Sequence, residues 1–201
     1  MSNELQVTGK SLLVCGSLKP GPGKESKSAA REVLKIVKKS FADHGYDHYE
    51  YLDLRDLQLP YFDGRGPEDY TEESVKTWYQ AVMSAQHLIV SAPAYWRTVS
   101  GGFTNALNVL GGPLYDYPEQ ADFLKGKKVS LIVVGAEYDD AVLAASQLRT
   151  TFSSMGAEVH PKEITVGNLR HADKSTQTKL AHELYQLGKW IAAQNVQEVL
   201  E

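Results

Sequence analysis

The chain has 201 residues, of which 42% are hydrophobic, 9% aromatic and 23% charged. That is a globular composition, long enough for one core without disulfide or metal staples, and it excludes a collagen-like or disordered polymer. Lys and Arg number 21 against 25 Asp and Glu, a net charge of −4 that makes no electrostatic case for nucleic acid or an anionic membrane. The single cysteine, Cys15, excludes an internal disulfide framework and any multi-cysteine metal site. Residues 1–10 are polar and read as a flexible lead-in with no signal peptide, and no run reaches the ~18–20 apolar residues that span a bilayer. One cytoplasmic domain over residues 1–201 is the expectation.

Ser11 to Gly16 is a short apolar run closed by glycine, the pattern of a strand buried on both faces. A loop rich in Pro, Gly and Lys follows from Ser17 to Lys27. Ala29, Ala30, Val33, Leu34 and Val37 then recur at helical spacing, with Lys35, Lys38 and Lys39 on the other face and Gly45 as the stop. Tyr49, Tyr51 and Leu52 suit a second strand. Past an irregular stretch at Pro60–Thr71, the stripe Val75, Trp78, Val82 and Met83 marks a helix leading into a third strand, His87 to Ala92. Phe103, Ala106, Leu107 and Leu110 give a helix closed by Gly111-Gly112, and Val129 to Gly135 is the clearest buried strand. Val142, Ala145, Leu148, Phe152 and Met155 form the next stripe, stopped at Gly156. A short fifth strand lies within Val159 to Val166, and Leu180, Leu184, Leu187 and Ile191 mark a last helix.

Strands alternating with helices predict a parallel sheet covered on both faces. Such sheets bind ligands beyond the carboxyl ends of their strands, which singles out the loops at 16–28, 92–102 and 135–141. The first runs from strand to helix, and a helix N-terminus offers unpaired N–H groups and a positive dipole end to an anion. Ser17, Ser26 and Ser28 add hydroxyls there, and Lys19, Lys24 and Lys27 add charge. A solvated turn with Ser26 or Ser28 as helix cap reads equally well. Gly16-x-Leu18 breaks the dinucleotide fingerprint at its second glycine, and Pro22-Gly23 stands where a triphosphate-binding loop needs Lys-Ser/Thr. In the second loop Tyr95 and Trp96 either plug the core or border a flat ligand, which the small Gly101-Gly102 would let the backbone approach. The third, Gly135-Ala136-Glu137-Tyr138, again places small residues past a strand end. An anion-ready loop beside two small or aromatic ones fits a ligand with a phosphate tail and a planar ring, such as flavin mononucleotide (FMN).

Over residues 11–166 the chain resembles the NADPH-dependent FMN reductase family. Members carry Gly-Ser-Leu-Arg, then Ser-x-Asn/Ser, Leu-Pro-x-(Tyr/Phe)-Asp, Pro-Glu-Tyr-Asn and Gly-x-Leu-Lys-Asn-Ala-Ile-Asp. Here these stand as Gly16-Ser17-Leu18-Lys19, Ser26-Lys27-Ser28, Leu59-Pro60-Tyr61-Phe62-Asp63, Pro93-Ala94-Tyr95-Trp96 and Gly102-Phe103-Thr104-Asn105-Ala106-Leu107-Asn108. The resemblance implies a flavodoxin-like α/β fold, a five-stranded parallel sheet in the order 2-1-3-4-5 with helices on both faces. It implies that Ser17, Lys19, Ser26 and Ser28 take the FMN phosphate, and that Pro93, Ala94, Tyr95, Trp96, Gly135 and Ala136 line the ring. It further implies NADPH or NADH as donor, a small-molecule acceptor such as a quinone, azo compound or flavin, and a homodimer or tetramer. Phe103, Leu107 and Leu110 share one helical face, and the resemblance implies pairing through this region, with Trp96 and Arg97 at a shared site mouth. Lys19 keeps the charge of the family's Arg but not its bidentate fork. Ala94, Thr104 and Asn108 remove charges that flank the ring in many relatives. That departure leaves an alternative: a flavin-binding electron carrier or sensor without nicotinamide turnover.

No side chain stands out as acid, base or nucleophile, as expected where a flavin carries the chemistry. Six histidines (44, 48, 87, 160, 171 and 182) lack metal-ligand spacing, and Cys15, inside a strand, reads as a small buried hydrophobe.

Overall fold

Each apolar run becomes a strand with both faces covered, and each 3.6-residue stripe becomes a helix that covers one of them. The computed structural model describes residues 5–7, 9–20 and 28–198. In chain order the elements are β1 (Leu5–Val7), β2 (Ser11–Cys15), α1 (Ala29–Asp43), β3 (Tyr49–Asp53), the short α2 (Leu54–Leu57) and α3 (Glu73–Ser84). Then come β4 (His87–Tyr95), β5 (Thr98–Val99), α4 (Gly101–Gly111), β6 (Lys128–Gly135), α5 (Tyr138–Ser154), β7 (Glu158–Val159), β8 (Ile164–Gly167), α6 (Lys174–Asn195) and β9 (Val196–Glu198).

The parallel sheet runs β3-β2-β4-β6, with β7 and β8 both paired to the outer side of β6. Taking β2 as the first strand and β7–β8 as the fifth gives the order 2-1-3-4-5, the flavodoxin-like arrangement. The register sets Cys15 between Asp53 and Ser91, with Ser91 opposite Ile132. Alternation along the strands divides the core. Leu12, Val14, Leu88, Val90, Leu131 and Val133 pack under α3, α4 and α5. Leu13, Cys15, Ile89, Ile132 and Val134 pack under α1 and α6. The Cys15 thiol is buried there, which pushes its pKa up to about 11.

The structure departs from the sequence reading at several points. The fifth strand is two pieces, β7 and β8, separated by His160 to Glu163. Pro161 has no N–H for the ladder. Arg149 draws the intervening chain to itself, donating to the His160 carbonyl at 2.7 Å and pairing with Glu163. Val142 faces outward, and α5 buries Ala141, Ala144, Ala145, Leu148 and Phe152 instead. Phe103, Leu107 and Leu110, expected to pair two copies, are buried in the chain's own core at 0%, 4% and 1% exposure. Their apolar face already covers the sheet, so it cannot also be a dimer face. Within residues 1–10, read as flexible, Leu5–Val7 pairs antiparallel with β9, and Lys10 forms an ion pair with Glu50 at 2.7 Å. Residues 1–4 and 8 lie outside the described residues. Among the described residues no helix is long and apolar enough to cross a membrane.

Candidate active-site cleft

A cleft of about 370 Å³ opens beyond the carboxyl ends of β2, β4, β6 and β8, where the topology of an open parallel sheet places ligands. At one end stand Ser17, Lys19, Ser28 and the first residues of α1, Ala29 and Ala30. Ser28 is the helix N-cap; its extended backbone (φ −81°, ψ 114°) lets its hydroxyl accept from the Arg31 N–H at 3.4 Å, and its carbonyl accepts from Arg31 and Glu32. The amides of Ala29 and Ala30 precede any possible i−4 partner within α1 and sit at the cleft wall. Ser17 is buried, and its Oγ accepts from the Lys19 N–H at 3.3 Å, so its own proton remains to donate.

The other end is lined by small and apolar residues: Pro93, Ala94 and Tyr95 from β4, then Val134, Gly135 and Ala136 from the end of β6. Tyr95 is about two-fifths exposed, with the Lys19 ammonium 5.9 Å from its ring centre. Two glycines let these loops close up. A Cβ on Gly16 would meet Phe103 at 2.8 Å, and one on Gly135 would meet the Glu137 carbonyl at 2.7 Å. Glu137 and Asp140 form a capping box that starts α5 at the cleft rim.

The first loop is held from behind. The Arg31 guanidinium donates to the carbonyls of Lys19 (2.7 Å) and Ser17 (3.0 Å), and grips the Asp53 carboxylate through Nε and through Nη2, the latter at 3.0 Å. Arg55 donates to the Leu18 carbonyl at 3.3 Å. Ser100 Oγ donates to the Gly16 carbonyl at 3.3 Å, tying in the second loop. The 59–63 segment is fixed by Asn105, which donates to the Pro60 carbonyl at 2.8 Å and accepts from the Phe62 N–H at 2.9 Å. The two motifs that looked separate in the sequence are thus one contact.

Eight of the ten residues singled out from the sequence (Ser17, Lys19, Ser28, Pro93, Ala94, Tyr95, Gly135 and Ala136) line this one cleft. Ser26 lies outside the described residues. Trp96 does not line the cleft; it stands at the tip of the β4–β5 hairpin, 93% exposed. Gly102, read as making room for a flat ligand, is instead crowded by the Leu18 side chain, 2.5 Å from where its Cβ would be. A fourth wall, Asn168 to His171, was not singled out. The strand-end rule that found the other three would have found it had it been applied past Val166. The Arg31–Asp53 pair was also missed, because nothing in the spacing of two residues 22 apart says that they meet.

Spare N–H and O–H donors at a helix start, joined to a slot of small and apolar residues, fit a phosphate monoester carried on a planar ring. Comparison with known proteins agrees with that chemistry. The model of the NADPH-dependent FMN reductase family matches residues 10–171, and the chain belongs to this family. It is accordingly an NAD(P)H-dependent oxidoreductase with FMN as cofactor. No curated protein is similar enough in sequence to count as a relative. Among solved structures, the fold is similar to that of an NADH:FMN oxidoreductase, EMOB, in its apo form (TM-score 0.66, 14% identity, 92% of this chain and 90% of that one). It is also similar to FerB, an NAD(P)H:acceptor oxidoreductase from Paracoccus denitrificans (TM-score 0.65, 18% identity, 94% and 100%). A putative quinone reductase from Klebsiella pneumoniae is a third (TM-score 0.66, 14% identity, 89% and 83%).

Proposed function

We propose that the cleft holds FMN with its phosphate at the start of α1 and its ring between the ends of β4 and β6, and that the enzyme passes electrons from NAD(P)H to a small organic acceptor. The observation that carries this is the joining, in one cleft, of the donor cluster at Ser17, Lys19, Ser28 and the α1 amides to the apolar slot of Pro93 to Tyr95 and Gly135-Ala136. FMN, when bound, supplies the electron transfer, accepting a hydride from the nicotinamide and releasing electrons to the acceptor. The chain's own task is to bind, orient and tune. The dipole and amides of α1 offset the phosphate charge, aided by the Lys19 ammonium. Along the slot the backbone amides of Ala94 and Ala136 are the candidates to donate to a ring edge, since Pro93 has no N–H and the Glu137 N–H donates to Asp140, and donors preset toward developing negative charge favour the reduced state.

Quinones and azo compounds are the acceptor classes we favour. The support is the small and apolar lining of the slot, together with structural neighbours that include the quinone reductase above and azoreductases. A single domain acting in the cytoplasm, as a homodimer, completes the proposal. The dimer surface would be built from the exposed aromatics near the cleft, not from the buried face of α4. The test is direct. Purified protein titrated with FMN should quench flavin fluorescence at a one-to-one ratio, and NADPH should then bleach the bound flavin, with reoxidation by a benzoquinone or an azo dye. Bound flavin that NADPH or NADH leaves oxidised would support the electron-carrier alternative.

A further inference from the structure

The loop read as holding the FMN phosphate has its carbonyls held by side chains that do not line the cleft. Three consecutive ones, at Ser17, Leu18 and Lys19, accept from guanidinium groups: the first and third from Arg31, the second from Arg55. Because a trans peptide points C=O and N–H in opposite directions within one rigid plane, holding the Ser17 and Leu18 carbonyls also fixes the amides of Leu18 and Lys19. The Lys19 amide is then where it must be to donate to Ser17 Oγ, which sets that hydroxyl for the cleft. Arg31 itself does not line the cleft. Four of its hydrogen bonds go to the Ser17 and Lys19 carbonyls and to Asp53, so the planar fork is committed to scaffolding. Asp53 is largely buried at the end of β3, and also accepts from the Arg55 N–H (3.1 Å) and the Tyr51 hydroxyl (3.3 Å). Arg31 grows from the first turn of α1, three residues after the N-cap. One side chain therefore locks together the helix start, the loop and the end of β3.

We propose that Arg31, braced by Asp53 and seconded by Arg55, is the positioning residue of the phosphate end: it presets Ser17, Lys19 and the α1 amides for a phosphate monoester without touching it. The proposal rests on the placement of the FMN phosphate given above. Lysine cannot replace this arginine, since a point ammonium cannot span two carbonyls and a carboxylate at once.

The experiment compares dissociation constants for FMN and for riboflavin, which share the ring and ribityl chain and differ by the phosphate. They are measured by flavin fluorescence on the wild type, Arg31→Lys and Arg55→Ala. Arg31→Lys should weaken FMN by roughly tenfold or more, about 1.4 kcal/mol, with riboflavin held within about twofold. Arg55→Ala, a change of one exposed contact that spares the core, should lower the FMN preference in the same direction by about fivefold, one hydrogen bond's worth. Equal weakening of both flavins would make these residues merely structural and overturn the proposal, as would FMN affinity unchanged in both variants. A wild type that binds riboflavin as tightly as FMN would instead overturn the phosphate placement, and the positioning role with it, before any variant is examined.

Discussion

The two ends of the same parallel strands treat polar groups in opposite ways. At the amino ends, polarity is used up internally. His87, at the start of β4, is buried and hydrogen-bonds through Nε2 with Ser130 Oγ at 2.9 Å, and the Trp190 ring meets it edge-on. The Tyr46 hydroxyl is bonded to the Gly9 carbonyl and to Ser11 Oγ, both at 2.8 Å, and the Lys127 ammonium reaches the carbonyls of Met83 and Ala85, both at 2.7 Å. At the carboxyl ends, a layer of scaffolding bonds from Arg31, Arg55 and Ser100 holds loops whose remaining donors face an open cleft. The contrast teaches where chemistry can reside. A polar group that is satisfied by the fold stabilises the fold, and one that the fold holds in place but leaves unsatisfied is available to a ligand. Perturbing the closed end should change stability and leave the ligand alone. Perturbing the open end should do the reverse.

The largest effect belongs to the closed end. Burial, with the Lys128 and His160 charges nearby, lowers the His87 pKa to about 3. An imidazole with a pKa lowered on folding binds fewer protons in the folded than in the unfolded state between about pH 3 and 6.5. Its contribution is therefore complete above pH 6.5 and is lost as pH falls toward 3, at a slope approaching roughly 1.4 kcal/mol per pH unit in mid-range. Urea unfolding from pH 7 to 4 should show this loss in the wild type and a flatter curve in His87→Gln. FMN affinity at pH 7 should be the same in both. A change in FMN affinity would break the separation of the two ends.

At the open end, Lys19→Ala should weaken FMN by about 1–3 kcal/mol, the range for a hydrogen bond to a charged group, with its melting temperature scarcely moved. Ser17→Ala should weaken FMN by a similar amount. Isothermal titration with FMN checks both, and wild-type affinity in both variants would remove the phosphate from this loop.

What could be read ahead of the structure follows the same division. The strands, the helices and the three strand-end loops were legible because continuous apolar runs, 3.6-residue stripes and glycine stops are local signals, whereas the sheet order came only with the family resemblance. The stop at Gly45, with φ +67°, and that at Gly156, with φ +85°, are such cases. Pairings across the sequence were not legible. Arg31 with Asp53 and Asn105 with the 59–63 segment join residues far apart in the chain, and no local pattern announces them. The apolar face of α4 shows a different limit. Periodicity reports that Phe103, Leu107 and Leu110 share a face, but not whether it covers this chain's sheet or another copy. Residue type was equally ambiguous at Trp96, where an aromatic after a buried strand suggested a lining and the backbone turned it outward.

That outward turn gives the smallest expected effect on binding and the sharpest test of the open end. Trp96 and Arg97 form the two-residue connection between β4 and β5, with Tyr95 opposite Thr98, and they sit at φ +53° and +65°. Two positive φ values in succession are the pattern of the type I′ hairpin turn, which favours Asn-Gly. A bulky side chain held there carries a strain of about 1–3 kcal/mol per residue, so the pair is not chosen for stability. Replacing Trp96-Arg97 with Asn-Gly should therefore stabilise the protein by about 1 kcal/mol in urea unfolding. Trp96→Ala alone removes a ring that is off the cleft wall, and FMN affinity should move by less than about 0.5 kcal/mol, as for other exposed positions. On the FMN placement proposed above, the same ring, one residue beyond Tyr95, would border the side from which a nicotinamide approaches. Stopped-flow reduction of the bound flavin by NADPH should accordingly be slowed several-fold in Trp96→Ala, while the FMN titration is unchanged. Should Trp96→Ala instead shed FMN and reduce the remaining bound flavin at the wild-type rate, the hairpin tip would be a clamp on the cofactor, and the open end would extend beyond the cleft that Tyr95 bounds.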